Sequence, residues 1–223
     1  GYLKNGYVIV RKCLDRKSID LILNNLCDGY FKYNPNSSFK FKSKPWLSQK
    51  FHKEFKNFQK KNPETFSEIY DLAQTSVAIS KMISSEKITK IASSLLNCNK
   101  SNLSHYQNMI RMDTPYNKKN KSAWHQEVQF FYNPGIVFWA PLIKMFQKIG
   151  YLKILEKSHL LGEIEYQRNK PSSYATSRLS TSEIPKKTLS SYLKRFKLVR
   201  AKLQLGDAVF FGSNLLHSSS DNV

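Results

Sequence analysis

The sequence predicts an α+β fold in which helices come first and short strands follow. Up to about residue 100, apolar residues recur at the three- and four-residue spacing of amphipathic helices. From Leu103 onward the segments become short and alternating, and Asn-Pro-Gly and Gly-Asp turns separate them. Helices followed by strands are typical of α+β domains, and the strand-rich half favours a sandwich or jelly roll.

Length and composition favour one globular domain over residues 1–223, with 1–104 as a supporting region and 105–223 as the strand-rich core. The chain is 40% hydrophobic and 13% aromatic, which is typical of a folded protein. It contains no apolar run long enough to span a membrane. Its three cysteines form no Cys-x-x-Cys pair, so we expect free thiols and a cytoplasmic location, without a disulfide framework.

The formal net charge of +20 leaves a nucleic-acid partner open but does not favour one. The excess is mostly lysine, scattered along the chain, and no aromatic residues alternate with arginine as in known nucleic-acid motifs. The chain is also rich in Asn, Ile, Ser and Tyr, a composition that AT-rich coding would produce. A small anionic substrate is compatible with this charge, and the sequence does not predict an oligomeric state.

The first half is predicted as one strand followed by helices. Asp15 or Ser18 is the expected cap of the first helix. In chain order the predicted elements are a strand at Gly6–Val10, a helix carrying Ile19, Ile22, Leu23 and Leu26, a polar loop from Gly29 to Pro45, and helical patterns at Pro63–Ala73, Ile79–Ile83 and Ile88–Leu96.

The second half is predicted as strands with two basic interruptions. The strands are expected at His105–Met112, Trp124–Phe131, Gly135–Leu142, Tyr151–Leu155, Leu198–Leu205 and Ala208–Phe211. A loop over Asp113–Ser122 and an insertion over 166–197, partly helical from Glu183, separate them. Because both interruptions are basic, we expect them to form the mouth of a pocket for an anionic molecule.

A His-x-Glu pair within a predicted strand is the main chemical signal. Residues i and i+2 of a strand share a face, so His125 and Glu127 can offer a nitrogen and a carboxylate oxygen to one metal ion. His217 is the candidate third ligand. Two leucines precede it and three serines follow it, which is typical of a strand that ends at a pocket. Two His and one carboxylate leave one face of an octahedron open, as in non-haem Fe(II) sites. His52 and His105 have no partner in the sequence, and His159 is expected to be structural.

Several motifs, in order, resemble the phytanoyl-CoA dioxygenase family of Fe(II)/2-oxoglutarate oxygenases. The similarity extends from about Asn108 to the end. The motifs are Trp124-His125-Gln126-Glu127, Val137-Phe138-Trp139-Ala140-Pro141-Leu142, Gly150-Tyr151-Leu152 leading to Ser158-His159, Gly206-Asp207 before Phe210-Phe211, and His217-Ser218-Ser219.

The resemblance implies a double-stranded β-helix of the jelly-roll or cupin type, with the N-terminal helices as a jacket. It implies that His125, Glu127 and His217 bind Fe(II), and that Gln126, Trp139 and, by proximity, Gln107 contact 2-oxoglutarate. Asp207 is expected to be structural. With Fe(II), 2-oxoglutarate and O₂, such an enzyme hydroxylates an unactivated C–H bond of a small molecule. The basic pocket mouth favours an anionic metabolite such as an acyl-CoA, a phosphorylated compound or a glycan precursor. The retained carboxylate Glu127 favours hydroxylation over halogenation.

The chain departs from the family pattern in three places. Glu127 stands where most relatives have Asp, and Glu156-Lys157 replaces a Pro-Gly turn. The Arg that pairs with the far carboxylate of 2-oxoglutarate is expected beyond Val223, together with the last barrel strands, and the first residue is not Met; we therefore expect a longer natural polypeptide. Arg111 is a candidate local substitute.

Two other classes of function stay open on the sequence alone. One is a metal-binding jelly roll without redox chemistry, holding Zn(II) with the same ligands, or a degenerate binding protein. The other is a basic nucleic-acid-binding module, which would show steep salt dependence.

Overall fold

The computed structural model describes residues 1–106, 110–111, 122–130, 134–145, 150–168 and 182–220. The helices are α1 (Tyr2–Asn5), α2 (Arg16–Tyr33), α3 (Gln49–Lys61), α4 (Pro63–Gln74), α5 (Val77–Ile83), α6 (Glu86–Leu96) and α7 (Lys186–Arg195). The strands are β1 (Tyr7–Val10), β2 (Ile136–Trp139), β3 (Leu152–Leu155), β4 (Gln167–Arg168), β5 (Ser182–Glu183), β6 (Leu198–Arg200), β7 (Ala208–Gly212) and β8 (His217–Ser219).

The predicted helices of the first half are present, and local chemistry explains where they begin. Asp15 caps α2, since its carboxylate accepts a hydrogen bond from the Ser18 N–H at 2.8 Å. Ser76 caps α5 in the same way through the Ile79 N–H. Pro63 is the first residue of α4, a position where its missing N–H costs nothing. The periodic apolar residues of these helices are buried in one cluster, as predicted.

The predicted loop from Gly29 to Pro45 was wrong at its start, and α3 was not predicted at all. Helix α2 continues to Tyr33, because Tyr30 and its neighbours bury their rings against α3. Tyr30 packs against Phe51, Phe55 and Phe58 with ring centroids 5.7, 5.1 and 5.1 Å apart. These three phenylalanines repeat at four and three residues, so a helical pattern was present among the lysines but was not recognised.

The first sheet has the order β1-β7-β2 and is antiparallel throughout. Strand β7 lies at its centre, and its side chains alternate between two environments. Ala208 and Phe210 join the cluster formed with the helices. Val209 and Phe211 join a second cluster, with residues of the other large sheet. The sheet is therefore covered by helices on one face and by β-structure on the other.

The second sheet has the order β6-β3-β8 and is also antiparallel. Leu152 and Ile154 of β3 turn toward Val209 and Phe211 of the first sheet. His217, at the start of β8, lies opposite Ile154 in the register and so shares its inward face. The predicted combination of helices and sheets is confirmed, and both large sheets are antiparallel.

Three predicted strands are corrected by the structure. His105, Tyr106, Ile110 and Arg111 are not in a strand, and the rest of the predicted His105–Met112 strand lies outside the described residues. The predicted strand from Trp124 is reduced to a single bridge at His125, followed by a 3₁₀ turn over Glu127–Gln129. The strand predicted to reach Leu205 ends at Arg200. Among the described residues, no helix is long and apolar enough to cross a membrane.

Candidate metal centre

The backbone brings His125 and His217 together as directly opposed residues. The N–H of each donates to the carbonyl oxygen of the other at 3.1 Å, which forms an isolated antiparallel bridge at the edge of β8. Directly opposed residues of antiparallel segments point their side chains to the same face. The imidazole centroids accordingly lie 4.2 Å apart, although 92 positions separate the two residues in the sequence.

Glu127 joins this pair because the chain stays extended for one more residue. Gln126 has φ −117° and ψ 148°, which turns the side chains of its two neighbours to one side. The N–H groups of Glu127 and Val128 then both donate to the Ser213 carbonyl, at 2.9 and 3.0 Å, and the chain turns. Oε1 of Glu127 lies 3.4 Å from Nε2 of His125 and 3.3 Å from Nε2 of His217.

Among the described residues, these three side chains form the group that could hold a metal ion, with all candidate ligand atoms within 4.8 Å of one another. The predicted set His125, Glu127 and His217 is thus brought together.

Both histidines are oriented by carbonyl groups two residues earlier in the chain. Nδ1 of His125 lies 2.7 Å from the Ala123 oxygen, and Nδ1 of His217 lies 3.0 Å from the Leu215 oxygen. A carbonyl can only accept, so Nδ1 must carry the proton and donate it. In a neutral ring this leaves the lone pair on Nε2, directed at the cluster, which is the usual arrangement of a metal-bound histidine.

The electrostatics of the cluster favour an ionised carboxylate at Glu127. Burial alone would raise the pKa of Glu127, but electrostatic interactions with the side chains of His125 and His217 outweigh this and hold the pKa well below its usual value. Burial and the neighbouring His125 lower the pKa of His217. An ionised carboxylate and a histidine that resists protonation are the forms that bind a cation.

The cluster is shielded but not sealed. The side chains of His125, Glu127 and His217 are 13, 23 and 5% exposed. Phe211 packs on His217 with ring centroids 4.6 Å apart, and Phe130 lies 6.2 Å from His125. The more exposed carboxylate marks the side from which a ligand can approach.

The predicted contact between Gln126 and 2-oxoglutarate is not supported. Gln126 is fully buried and faces away from the three ligands, as strand alternation requires. Its Nε2 donates to the carbonyls of Gly162 and Asn214 at 2.8 and 2.6 Å, and its Oε1 accepts from the Ile164 N–H at 3.0 Å. Both amide hydrogens are used within the protein, so the structure gives Gln126 a structural role.

The other predicted co-substrate residues are not tested by this geometry. Trp139 is half-buried at the end of β2, opposite Val209, and packs on the cluster between the sheets. Gln107 lies outside the described residues. Arg111 donates to the Ser122 hydroxyl, beside the segment that pairs with β8.

Two other histidines, His52 and His159, have backbone partners outside the cluster. Nε2 of His159 lies 3.1 Å from the Leu3 carbonyl, and Nε2 of His52 lies 2.7 Å from the Trp46 carbonyl. Asp207 accepts hydrogen bonds from the Lys12 and Gln204 N–H groups and from Arg11. The structural role predicted for Asp207 therefore agrees with its contacts.

Gln129 is a polar residue that the sequence reasoning missed. It closes the 3₁₀ turn that begins at Glu127. Its amide nitrogen and oxygen are both buried, and neither has a hydrogen-bond partner in the part of the chain that the structure describes. A buried, unsatisfied amide is uncommon and calls for a physical explanation. Its position two residues after a predicted ligand was the only signal in the sequence.

Comparison with known families gives one match over nearly the whole chain. The family described as "Phytanoyl-CoA dioxygenase (PhyH)" matches residues 2–223. No curated protein sequence matches significantly.

Solved structures with similar folds share little sequence with this chain. The epimerase SnoN in complex with Fe³⁺, alpha ketoglutarate and nogalamycin RO is 16% identical with a TM-score of 0.55, covering 99% of this chain and 75% of SnoN. EctD from S. alaskensis with 2-oxoglutarate and 5-hydroxyectoine is 13% identical with a TM-score of 0.58, covering 100% and 68%. EvdO2 from Micromonospora carbonacea var. aurantiaca with 2-oxoglutarate is 14% identical with a TM-score of 0.54, covering 99% and 82%. At these identities the similarity shows the fold alone.

Proposed function

Because this chain belongs to the phytanoyl-CoA dioxygenase (PhyH) family, we propose that it is a 2-oxoglutarate-dependent Fe(II) dioxygenase that hydroxylates a small anionic molecule. The proposal includes a single domain over residues 1–223, built on a double-stranded β-helix. The observation that carries it is the cluster of His125, Glu127 and His217, with both Nε2 atoms and one carboxylate oxygen directed at one point.

The residues present fit an iron ion and a bidentate co-substrate. Two neutral imidazoles and one carboxylate form the facial donor set of non-haem Fe(II) oxygenases, which leaves the remaining positions for a co-substrate and O₂. Bound there, iron and 2-oxoglutarate supply the oxidising chemistry, with succinate and CO₂ as products of the co-substrate. The similar folds of SnoN, EctD and EvdO2, determined with alpha ketoglutarate or 2-oxoglutarate, support this assignment.

The protein's own contribution is to hold the ligands and limit access by water. The Ala123 and Leu215 carbonyls fix the imidazole tautomers. Phe211 packs against the ring of His217, and Phe130 against the ring of His125. Glu127 keeps the third position occupied by a carboxylate. We retain Trp139 and Gln107 as proposed 2-oxoglutarate contacts.

An anionic substrate is supported by the basic insertion over 166–197. Leu189 and Tyr192 of its helix α7 pack against the same small buried cluster as Trp124, the neighbour of His125. The Ile184 N–H also donates to the Trp124 carbonyl at 3.2 Å. The exposed residues of α7 include Lys186, Lys187, Lys194 and Arg195. Basic side chains on this helix would suit a phosphate or carboxylate group of a substrate.

The decisive experiment is an anaerobic Fe(II) titration in the presence of 2-oxoglutarate, following the visible charge-transfer band. The parent and the matched control His52→Ala should develop the band, whereas His217→Ala should not. His52 is a suitable control because its ring bonds to the Trp46 carbonyl and takes no part in the cluster. Zn(II) binding without any 2-oxoglutarate affinity would replace this proposal with a metal-binding protein that lacks redox chemistry.

We also propose that the unsatisfied Gln129 amide contacts the bound co-substrate or substrate. A ligand that reaches this amide would satisfy groups that otherwise cost about 1–3 kcal/mol each. Gln129→Leu should therefore leave the unfolding free energy of the ligand-free protein unchanged or higher, and weaken ligand binding measured by calorimetry. Lower ligand-free stability combined with unchanged binding would contradict this role.

A further inference from the structure

The strongest feature outside the metal centre is a lysine-rich surface around the loop that precedes α3. Between residues 40 and 61 the chain contains eight lysines and a single acidic residue, Glu54. Glu54 is turned inward, where its carboxylate accepts hydrogen bonds from Tyr30 and Ser37. The outer surface of this segment therefore presents positive charge without acidic compensation of its own.

The loop projects a basic and aromatic tip from two buried anchors. Phe39 and Trp46 are 6 and 5% exposed, whereas every residue from 40 to 44 is exposed. Phe41, in the middle of this tip, is 94% exposed and has lysines on both sides. Leu47, directly after the second anchor, is 68% exposed. This short segment therefore exposes two large apolar side chains together with its lysines, a combination that suits an interaction surface.

The tip and the basic face of α3 lie next to each other. At the base of the tip, Phe39 packs edge-on against Phe51 in the first turn of α3, with ring centroids 5.6 Å apart. An ion pair of 2.7 Å between Lys44 and Asp20 holds the end of the tip against α2. The exposed face of α3 carries Lys50, Lys53 and Lys60 at three- and seven-residue steps, which is one stripe of the helix. These three lysines of α3, together with residues 40–47, are called the docking surface below.

We propose that the docking surface binds the headgroup region of an anionic lipid membrane, with Phe41 and Leu47 inserted among the lipid chains. Clustered lysines are attracted to anionic headgroups, and inserted apolar side chains supply the second contribution that stable peripheral binding requires. A single-stranded nucleic acid would also attract the lysines and could stack on Phe41. Leu47 has no ring to stack on a base, so the exposed pair favours lipid. The inference does not depend on the proposed oxygenase activity.

Vesicle co-sedimentation tests the electrostatic half of the proposal. Phosphatidylcholine vesicles with and without phosphatidylserine are compared, using the full chain. Each lysine near an anionic surface contributes about fivefold in affinity, so Lys50→Gln, Lys53→Gln and Lys60→Gln combined should weaken binding to the anionic vesicles about a hundredfold. A matched variant with the same loss of charge, Lys17→Gln, Lys81→Gln and Lys90→Gln, should lose much less. Equal losses in the two variants would mean that only net charge matters, and would overturn the docking surface.

Insertion is tested by fluorescence and by removing the apolar side chains. Phe41→Trp should become quenched by brominated lipid chains beyond the quenching seen in the parent. Phe41→Ser with Leu47→Ser should weaken vesicle binding at least tenfold, whereas the control pair Leu3→Ser with Leu72→Ser, also exposed, should not. Circular dichroism verifies that each variant is folded. Binding to a DNA oligonucleotide with the same lysine dependence, but no vesicle binding, would overturn the proposal in favour of a nucleic-acid surface.

Discussion

Gln126 lies between the proposed ligands His125 and Glu127 and supports their segment from the opposite face. Its fully buried amide connects the segment of His125 and Glu127 to Gly162, Ile164 and Asn214. Asn214 lies three residues before His217. Gln126 thereby sets the distance between the segment that carries His125 and Glu127 and the turn that leads to His217. The side-chain alternation that places the two ligands on one face is also what places Gln126 on the other.

We expect Gln126→Leu to destabilise the protein by about 3–5 kcal/mol, because it leaves two carbonyls and one N–H buried without partners. The free energy of unfolding from urea titration measures this. The variant should also bind Fe(II) more weakly than the parent if it folds. A loss below about 1 kcal/mol would show that water replaces the amide, and would remove Gln126 from the architecture of the site.

At the scale of elements, Asp207 joins the end of β1 to the beginning of β7. Its carboxylate accepts from the Lys12 N–H at 3.0 Å, the Gln204 N–H at 2.9 Å and the Arg11 guanidinium at 2.6 Å. Burial alone would raise the pKa of Asp207, but the Gln204 N–H, the Arg11 guanidinium and the Lys12 N–H outweigh it and lower the pKa. The ionised form is therefore the one that stabilises this junction.

We expect Asp207→Ala to lower the free energy of unfolding by about 2–4 kcal/mol at neutral pH. A depressed carboxyl pKa gives a stabilisation that is complete above the unfolded-state value, about 3.9, and is lost as the pH falls through the folded-state value. The difference between parent and variant should be constant above about pH 5 and narrow below about pH 4. Urea titrations across this range measure it, and a difference that widens on acidification would contradict the assignment.

Gly6 controls how β1 enters the first sheet, close to the approach to His217. Its φ of 84° is left-handed, and an added Cβ would lie 2.5 Å from Nδ1 of His159 and 2.6 Å from Cδ1 of Leu215. We expect Gly6→Ala to destabilise by about 2–4 kcal/mol, since backbone strain and overpacking act together. Thermal and urea unfolding of the parent and the variant measure this. A loss of about 1 kcal/mol or less, which the left-handed backbone alone would cost, would exclude the close packing as the cause.

The elements that the sequence predicted well are those whose buried face appears as a regular pattern of apolar residues. Strand β7 and helix α2 have regular apolar patterns, and both formed where expected, except that α2 continues to Tyr33. The predicted strand after Trp124 failed because the Ser213 carbonyl, 86 residues from Glu127, captures two successive N–H groups and turns the chain. No local pattern could reveal that acceptor. The ligand cluster survived this error, since only Gln126 has to be extended for His125 and Glu127 to converge.

At the scale of the whole molecule, the metal centre connects parts of the chain that are distant in sequence. His125 and Glu127 lie on a short segment held by one bridge and one turn, and His217 begins a strand of the second sheet. The sequence predicted these three residues as ligands, but the pairing of their two segments depends on the Ser122 and Ser219 contacts as well as the bridge. An ion bound there would cross-link the segment and the sheet, and it would stabilise only the folded state.

This linkage predicts that metal raises the stability of the folded protein. At a free metal concentration of about 100 times Kd, one site adds about 2.7 kcal/mol to the free energy of unfolding. We expect Fe(II) under anaerobic conditions to raise the thermal midpoint of the parent and of the His159→Ala control. Neither His125→Ala nor His217→Ala should respond, because each loses one of the two imidazole ligands. Metal-induced stabilisation that persists in both of these variants would place the ion elsewhere on the protein and remove the cluster from the proposed mechanism.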